Sequence, residues 1–169
     1  MTAAKDIRAC VARAAEKAAE YAARLGLTVE EDPDYDFRGR RAVAAYRCGS
    51  ARTGTVRFAV NAPALEKEMR RCGVPAGELE EQVLISVLHE TGHGIIERLR
   101  QLRRTDAWKR THVFSGRLLK EFKEIIRDEE TAAEDFGAFA AGRRPFSLIE
   151  TFLREHAAEV MTVLHEKRG

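Results

Sequence analysis

The chain has 169 residues, of which 44% are hydrophobic and 33% are charged. This length and balance predict one folded domain and argue against both a disordered polypeptide and a membrane protein. The 29 basic and 27 acidic residues leave a net charge of +2, so the overall charge indicates neither a nucleic-acid partner nor an anionic membrane.

Two features of the sequence predict a cytoplasmic location. The first 25 residues include acidic side chains and lack the apolar segment of a secretory signal peptide. The three cysteines, Cys10, Cys48 and Cys72, are odd in number and widely spaced, and none belongs to a CxxC pair. This pattern is typical of a reducing compartment rather than of a disulfide framework.

The N-terminal part of the chain predicts one helix followed by a small amount of β-structure. Apolar residues recur every three or four positions over 3–25, and Gly26 follows as a stop signal, which predicts an amphipathic helix. Residues 27–30 are compatible with a short strand. The polar segment 31–41 contains Pro33 and Gly39 and predicts a loop.

A β-hairpin is predicted next, with arms at 42–48 and 55–61 joined by a glycine-containing turn. Its second arm alternates apolar and polar side chains, as a half-buried strand does. A short helix is predicted over 62–71, before the break at Gly73-Val74-Pro75.

The C-terminal half predicts three helices. The first runs from Pro75 to about Arg104, and a basic loop follows to residue 116. The second covers 115–141 with Ser115 as its N-cap, and the third covers 147–166. Helix, strands and then helices predict an α+β domain with a small mixed or antiparallel sheet. We expect a single domain over 1–169, with its core at about 42–141.

The strongest chemical signal is the pentapeptide His89-Glu90-Thr91-Gly92-His93, inside the long helix. Two histidines four apart on an α-helix are separated by about 6 Å along its axis and about 40° around it, so both imidazoles can bind one ion. Shuffling this composition would give HExxH in only about 2 of 100 sequences. The pattern predicts a Zn²⁺ site with His89 and His93 as ligands and Glu90 as general base toward a metal-activated water.

A hydrolytic zinc site needs a third protein ligand, and the sequence offers two kinds of candidate. Cys48 or Cys72 could serve, although small cysteines more commonly fill a core. An acidic ligand is favoured, because the run Asp128-Glu129-Glu130 falls within the apolar stripe of the predicted helix 115–141. No histidine stands at position 99, so the extended HExxHxxGxxH pattern is absent.

The segment from Glu130 to Phe136 resembles a known family motif. Its spacing is similar to the ExxA(D/E) motif that follows HExxH in gluzincins, and E-x-x-A-x-x-F most resembles the small ImmA/IrrE-type metallopeptidases, with SprT-like domains second. The resemblance spans about residues 54–141. It implies a zincin-like domain in which Glu130 binds the metal, Ala133 lets two helices approach and Glu134 hydrogen-bonds a ligand histidine.

Glu129 lies on the same apolar stripe and is an alternative third ligand. The resemblance implies a zinc metallopeptidase that makes limited cuts in a protein or peptide substrate. It also implies that the strand 55–61 is the edge strand that pairs with an extended substrate. The donor to the developing oxyanion is left open among four candidates, namely Tyr46, His112, His156 and His165.

Basic residues crowd the stretch from Arg98 to Arg117, and Trp108 lies among them. A basic patch with an aromatic residue is compatible with nucleic-acid contact, but also with a solvated helix end or with pairing to the acidic loop 30–36. The alternative function is therefore a zinc-stabilised regulatory or DNA-associated module without proteolysis.

Overall fold

The computed structural model describes residues 2–166, and at residues 2–5, 111 and 166 it describes the backbone alone. In this part of the chain, seven α-helices and a three-stranded mixed sheet confirm the predicted α+β class. The helices are α1 (Thr2–Ala22), α2 (Ala62–Arg71), α3 (Leu79–Arg100), α4 (Asp106–Lys109), α5 (Gly116–Arg127), α6 (Glu129–Ala140) and α7 (Leu148–Glu166). The strands are β1 (Thr28–Glu31), β2 (Ala44–Tyr46) and β3 (Thr55–Val60). None of the described helices has the length and apolarity that crossing a membrane requires.

β3 is the central strand of the sheet, whose order is β1-β3-β2. The predicted hairpin is present, since β2 pairs antiparallel with β3. The prediction that segment 55–61 forms the edge of the sheet is wrong, because β1 pairs parallel with β3 on its other side, from Thr28 opposite Thr55 to Glu31 opposite Phe58. Within the described residues, the free edge beside the long helix therefore belongs to β2.

α3 lies at the centre of the fold and packs against α1, α6 and the sheet. Acidic residues in its first turn and arginines in its last turn both suit the helix dipole. Gly94 allows the sheet to approach, because a Cβ at this position would lie 2.7 Å from methyl carbons of Val56. Single 3₁₀ turns flank the helix, so the regular α-helix is shorter than the predicted span from Pro75 to Arg104.

The predicted single helix 115–141 is two helices, which is a correction with consequences for the site. Asp128 interrupts it with φ −137° and ψ 75°, and its side chain accepts a hydrogen bond of 3.2 Å from the backbone N–H of Thr131. An aspartate cap of this kind satisfies a free N–H and starts a new helix. Glu129 and Glu130 therefore occupy the first turn of α6, where the helix dipole favours negative charge.

The helices α1 and α7 follow the sequence pattern closely. α1 buries the stripe predicted for it, and α7 begins after Ser147, whose Oγ accepts a hydrogen bond of 3.3 Å from the N–H of Glu150.

The predicted basic loop 103–116 contains the short helix α4, which places Trp108 against Phe114 and Phe122 at ring-centroid distances of 5.8 and 4.7 Å. Trp108 is partly buried and packs against the core, so it anchors this segment.

Candidate metal centre

The N-terminus of α6 brings Glu130 to the two histidines of α3. Nε2 of His89 lies 3.1 Å from one carboxylate oxygen of Glu130, and Nε2 of His93 lies 3.3 Å from the other. The two Nε2 atoms are 3.2 Å apart. Three potential ligands from two separate helices therefore converge on one point.

Small residues make this convergence possible by letting α3 and α6 approach closely. A Cβ at Gly92 would lie 3.2 Å from Cα of Ala133, and one at Gly137 would lie only 2.6 Å from the carbonyl oxygen of Ile85. Ala133, singled out in the sequence as the small residue at the helix contact, lies at this contact. Gly137 approaches still more closely and was not predicted.

The spacing of the three potential ligands suits a small tetrahedral ion. Zinc binds imidazole nitrogen and carboxylate oxygen at about 2.0–2.2 Å, which separates neighbouring ligand atoms of a tetrahedron by about 3.3–3.5 Å. The separations of 3.1, 3.2 and 3.3 Å between His89, His93 and Glu130 are close to this value. Two imidazoles and a carboxylate are also the ligand set that zinc accepts at hydrolytic sites.

Glu129 contacts the opposite side of one imidazole. Its Oε1 lies 3.0 Å from Nδ1 of His93, and its other oxygen accepts a hydrogen bond from Arg100. A carboxylate at Nδ1 keeps the proton on that nitrogen and leaves Nε2 free to bind a metal. In this arrangement Glu129 contacts Nδ1 of His93, and Glu130 is the carboxylate that faces both Nε2 atoms. Glu134 lines the cleft beside His89 and Glu90.

The Glu90 side chain is only 13% exposed and lies 4.0 Å from Nε2 of His89. Burial raises the pKa of its carboxyl to about 7, and the negative charge of Glu130 adds to the shift, whereas His93 and the backbone N–H of Tyr46 oppose it. A carboxyl with a pKa close to neutrality can both accept and return a proton at physiological pH.

His89 is held in the form that can bind a metal. Burial lowers its pKa, and the nearby His93 lowers it further because two adjacent positive charges repel each other. The neutral imidazole that results keeps a nitrogen lone pair available for coordination.

A cleft of about 510 Å³ opens beside the site, between the free edge of β2 and the helices α3 and α6. Val43 accepts a hydrogen bond from Asn61 and Arg47 donates one to Arg57, so these residues face β3. Because such bonds alternate along an antiparallel pair, the backbone groups of Ala44 point the other way, toward the cleft. An extended peptide could therefore add to β2 next to the two histidines.

The other residues proposed from the sequence lie elsewhere or have partners of their own. Cys48 and Cys72 are exposed and lie outside the group formed by the histidines and Glu130. Tyr46 hydrogen-bonds Glu97 through its hydroxyl, and His112 and His165 are exposed.

His156 is a buried histidine with partners on α5 and α7. Its Nε2 lies 3.0 Å from Glu121 and 3.7 Å from Glu155. Arg117 pairs with both of these carboxylates, at 3.0 and 2.9 Å. The guanidinium bridges the two carboxylates and offsets one of their two negative charges, and the cluster joins α5 and α7 away from the cleft.

The basic stretch Arg98–Arg117 forms many of its contacts within the protein. Arg98 is buried, Arg100 pairs with Glu129, and the guanidinium of Arg103 lies 5.3 Å from the ring centroid of Phe122. In the acidic loop 30–36, Asp32 pairs with Arg47 and Asp36 pairs with Arg38, and both of these arginines lie outside the basic stretch.

Two residues that support the site were missed in the sequence. Arg100 stands seven positions after His93, a spacing that places both on one helix face and could have identified it. Glu97 is buried and accepts hydrogen bonds from the Tyr46 hydroxyl, from the N–H of Gly49 at 3.0 Å and from Arg52 at 2.9 Å. It fixes the turn between β2 and β3 to the helix that carries the histidines.

Comparisons of the chain with protein-family models, with curated proteins and with solved structures found no match.

Proposed function

We propose that this protein is a zinc-dependent metallopeptidase of the zincin type, which makes limited cuts in a protein or peptide substrate. The observation that carries the proposal is the convergence of His89, His93 and Glu130 at separations of 3.1–3.3 Å, beside the buried carboxyl of Glu90 and an open cleft. The resemblance of the two motifs to ImmA/IrrE-type peptidases supports the same reaction.

His89, His93 and Glu130 would hold the ion, with Glu129 orienting His93 from the far side of the ring. When bound, zinc supplies a Lewis acid that polarises a carbonyl and lowers the pKa of water. The free edge of β2 would align an extended peptide across the site.

Glu90 would move the proton in this reaction. Its carboxylate would accept a proton from the attacking water and pass it to the nitrogen of the departing amine. In the metal-free protein the pKa of this carboxyl is raised to about 7, and a bound cation beside it would lower the pKa, so that Glu90 would be ionised and able to accept the proton. The burial that raises this pKa also removes competing water from the carboxyl.

We further propose a cytoplasmic location. It is supported by the three described cysteines, none of which forms a disulfide.

The central experiment compares Glu90→Gln with Glu80→Gln. Glu80 lies on the same helix and pairs with Arg13 at 2.7 Å, outside the cleft. Zinc content after reconstitution is measured by elemental analysis, and cleavage of unfolded proteins and peptide mixtures by mass spectrometry. We expect about one bound zinc per chain, and a loss of hydrolysis of about 10²–10⁴-fold in Glu90→Gln only, with unchanged zinc content and thermal unfolding.

Three outcomes would overturn parts of the proposal. Absence of bound zinc would remove the metal site. Unchanged hydrolysis in Glu90→Gln would remove its role as the base. Bound zinc without hydrolysis, combined with a biological activity that Glu90→Gln retains, would favour the zinc-stabilised regulatory module instead.

A further inference from the structure

The cleft beside the histidines carries a single arginine. Four apolar residues line one wall of the cleft. Ala42 and Ala44 lie just before and in β2, Ile85 lies on α3 and Ala138 lies on α6. Among the residues that line the cleft, all of which are described, Arg144 is the only arginine or lysine.

Arg144 keeps most of its hydrogen-bonding capacity. It follows α6 in the segment that leads to α7, and one of its nitrogens lies 3.1 Å from Asp135. The Arg144 side chain is 61% exposed and that of Asp135 is 31% exposed. An exposed pair of this kind contributes little to stability, and a guanidinium has five N–H donors. A second carboxylate can therefore bind Arg144 at little cost.

The neighbouring Arg143 shows the contrast. It donates to both oxygens of Glu81, at 2.6 and 2.7 Å, and also lies 3.3 Å from Glu78. These contacts tie the segment to the start of α3, and Arg143 is not part of the cleft lining. The two adjacent arginines therefore have different surroundings. Arg143 forms ion pairs that hold the segment to α3, whereas Arg144 lines the cleft.

The remaining charges of the cleft restrict where a negative group can bind. Glu90 and Glu134 line the cleft, so a carboxylate placed near either would be repelled. Arg144 is the one lining side chain that carries a permanent positive charge.

We propose that Arg144 determines substrate specificity by binding a carboxylate of the peptide, carried by an acidic side chain or by the C-terminus. This inference rests on the proposed function, since it concerns the same cleft. Arg144 is the recognition residue, and it takes no part in the bond-breaking step.

The test uses the full-length, zinc-reconstituted protein and a peptide library synthesised in matched forms. Each peptide carries Glu or Gln at a given position and ends in a free acid or an amide. Cleavage by the wild type is followed by mass spectrometry. Retention by zinc-loaded Glu90→Gln is measured in parallel as a readout that does not require turnover.

Three variants examine the arginine directly. Arg144→Gln should lower kcat/KM for the preferred acidic peptides by about 10- to 100-fold, the range for a hydrogen bond between charged groups, and leave neutral peptides unchanged. Arg143→Gln, the matched control, should keep the preference. Asp135→Asn frees Arg144 from its competitor and should raise the preference by up to about fivefold.

The outcomes separate this inference from the proposed function. Preference for Glu over Gln at a fixed position identifies a side-chain carboxylate, and preference for the acid over the amide identifies the C-terminus. Cleavage with neither preference, or a preference that survives in Arg144→Gln, overturns the role of Arg144 and leaves the peptidase intact. Arg144-dependent retention without cleavage overturns the peptidase and keeps the recognition. Neither cleavage nor retention overturns both.

Discussion

The carboxylate of Glu129 lies 3.0 Å from Nδ1 of His93, on the opposite side of the ring from Glu130. Two adjacent glutamates thus contact the two nitrogens of one imidazole. Arg100 hydrogen-bonds the second oxygen of Glu129 and holds its carboxylate in place. The contact predicts that Glu129, rather than Glu134, orients His93 for metal binding, and the zinc affinities of variants at the two positions test this.

Replacing Glu129 by Ala should lower zinc affinity by about 10- to 100-fold while leaving the three ligands in place, because His93 loses the partner that fixes its tautomer. Affinity is measured by competition with a chromophoric chelator. Arg100→Gln should have a smaller effect in the same direction, since Glu129 remains.

Glu134→Ala is the matched control for Glu129. Glu134 lines the cleft, and its removal should change zinc affinity little. A larger loss in Glu134→Ala than in Glu129→Ala would instead support the role that the family resemblance implies for Glu134. His156→Ala, in the second histidine and glutamate cluster, should leave zinc content unchanged.

Where a local pattern sufficed, the sequence predicted correctly which side chains come together. HExxH places two imidazoles on one helix face by helical geometry alone, and the acidic run near Ala133 identified the second helix. It could not assign Glu129 and Glu130 to different nitrogens. Their directions depend on where α6 begins, and that is set by the Asp128 cap inside a pattern that reads as one continuous helix.

Contacts distant in sequence account for the other errors. β3 is central because β1, only four residues long and half exposed, pairs with it from the far side. A strand that short carries too little alternation to reveal its partner. The hydrogen bonds of Glu97 could not be predicted either. A single glutamate among apolar residues indicates that it has a buried partner, but its sequence position does not show which residue that is.

The break at Asp128 yields a second prediction. Asp128→Ala removes the N-cap of α6 and should destabilise the protein by about 0.5–2 kcal/mol. It should also weaken zinc binding, because Glu129 and Glu130 lie in the first turn that the cap holds. Stability is measured by urea unfolding and zinc affinity by chelator competition.

Ser115→Ala is the matched control for the cap. Ser115 caps α5 through a hydrogen bond of 3.1 Å from the N–H of Leu118, away from the cleft. It should cost a similar amount of stability and leave zinc affinity unchanged. Equal zinc affinities in the two variants would show that the start of α6 does not position the ligands.

The close approach of α6 to α3 yields a third prediction. A Cβ at Gly137 would lie 2.6 Å from the backbone oxygen of Ile85, and backbone cannot rotate away as a side chain can. Gly137→Ala should therefore destabilise the protein by about 1–3 kcal/mol and lower zinc affinity by displacing α6. Gly116→Ala adds a Cβ that meets nothing within 4 Å and should be neutral or slightly stabilising. Unchanged stability in Gly137→Ala would exclude this contact as a determinant of helix spacing.

Tyr46 yields a prediction about alkaline pH. Burial, and then its hydrogen bond to Glu97, raise the pKa of its phenol to about 12. The folded state thus holds this proton more tightly than the unfolded state, where the pKa is about 10. The resulting stabilisation is complete below about pH 10, falls as the pH rises toward 12 and is lost above it.

Tyr46→Phe removes the phenol, which leaves Glu97 with one donor fewer and leaves the N–H of Ala51 without the hydroxyl oxygen that it bonds at 3.1 Å. At about pH 8 the variant should be less stable than the wild type by about 1–3 kcal/mol, the cost of an unsatisfied buried group. At about pH 11 the gap should narrow, because the wild type then loses its own proton-linked stabilisation. Urea unfolding at both pH values measures this difference in stability, and the contributions of other groups that titrate in this range cancel in the comparison.

Tyr35→Phe serves as the control, because Tyr35 lies in a loop where its hydroxyl accepts a hydrogen bond of 2.9 Å from Arg40. A gap for Tyr46→Phe that stays constant with pH would show that the phenol does not titrate as its burial requires.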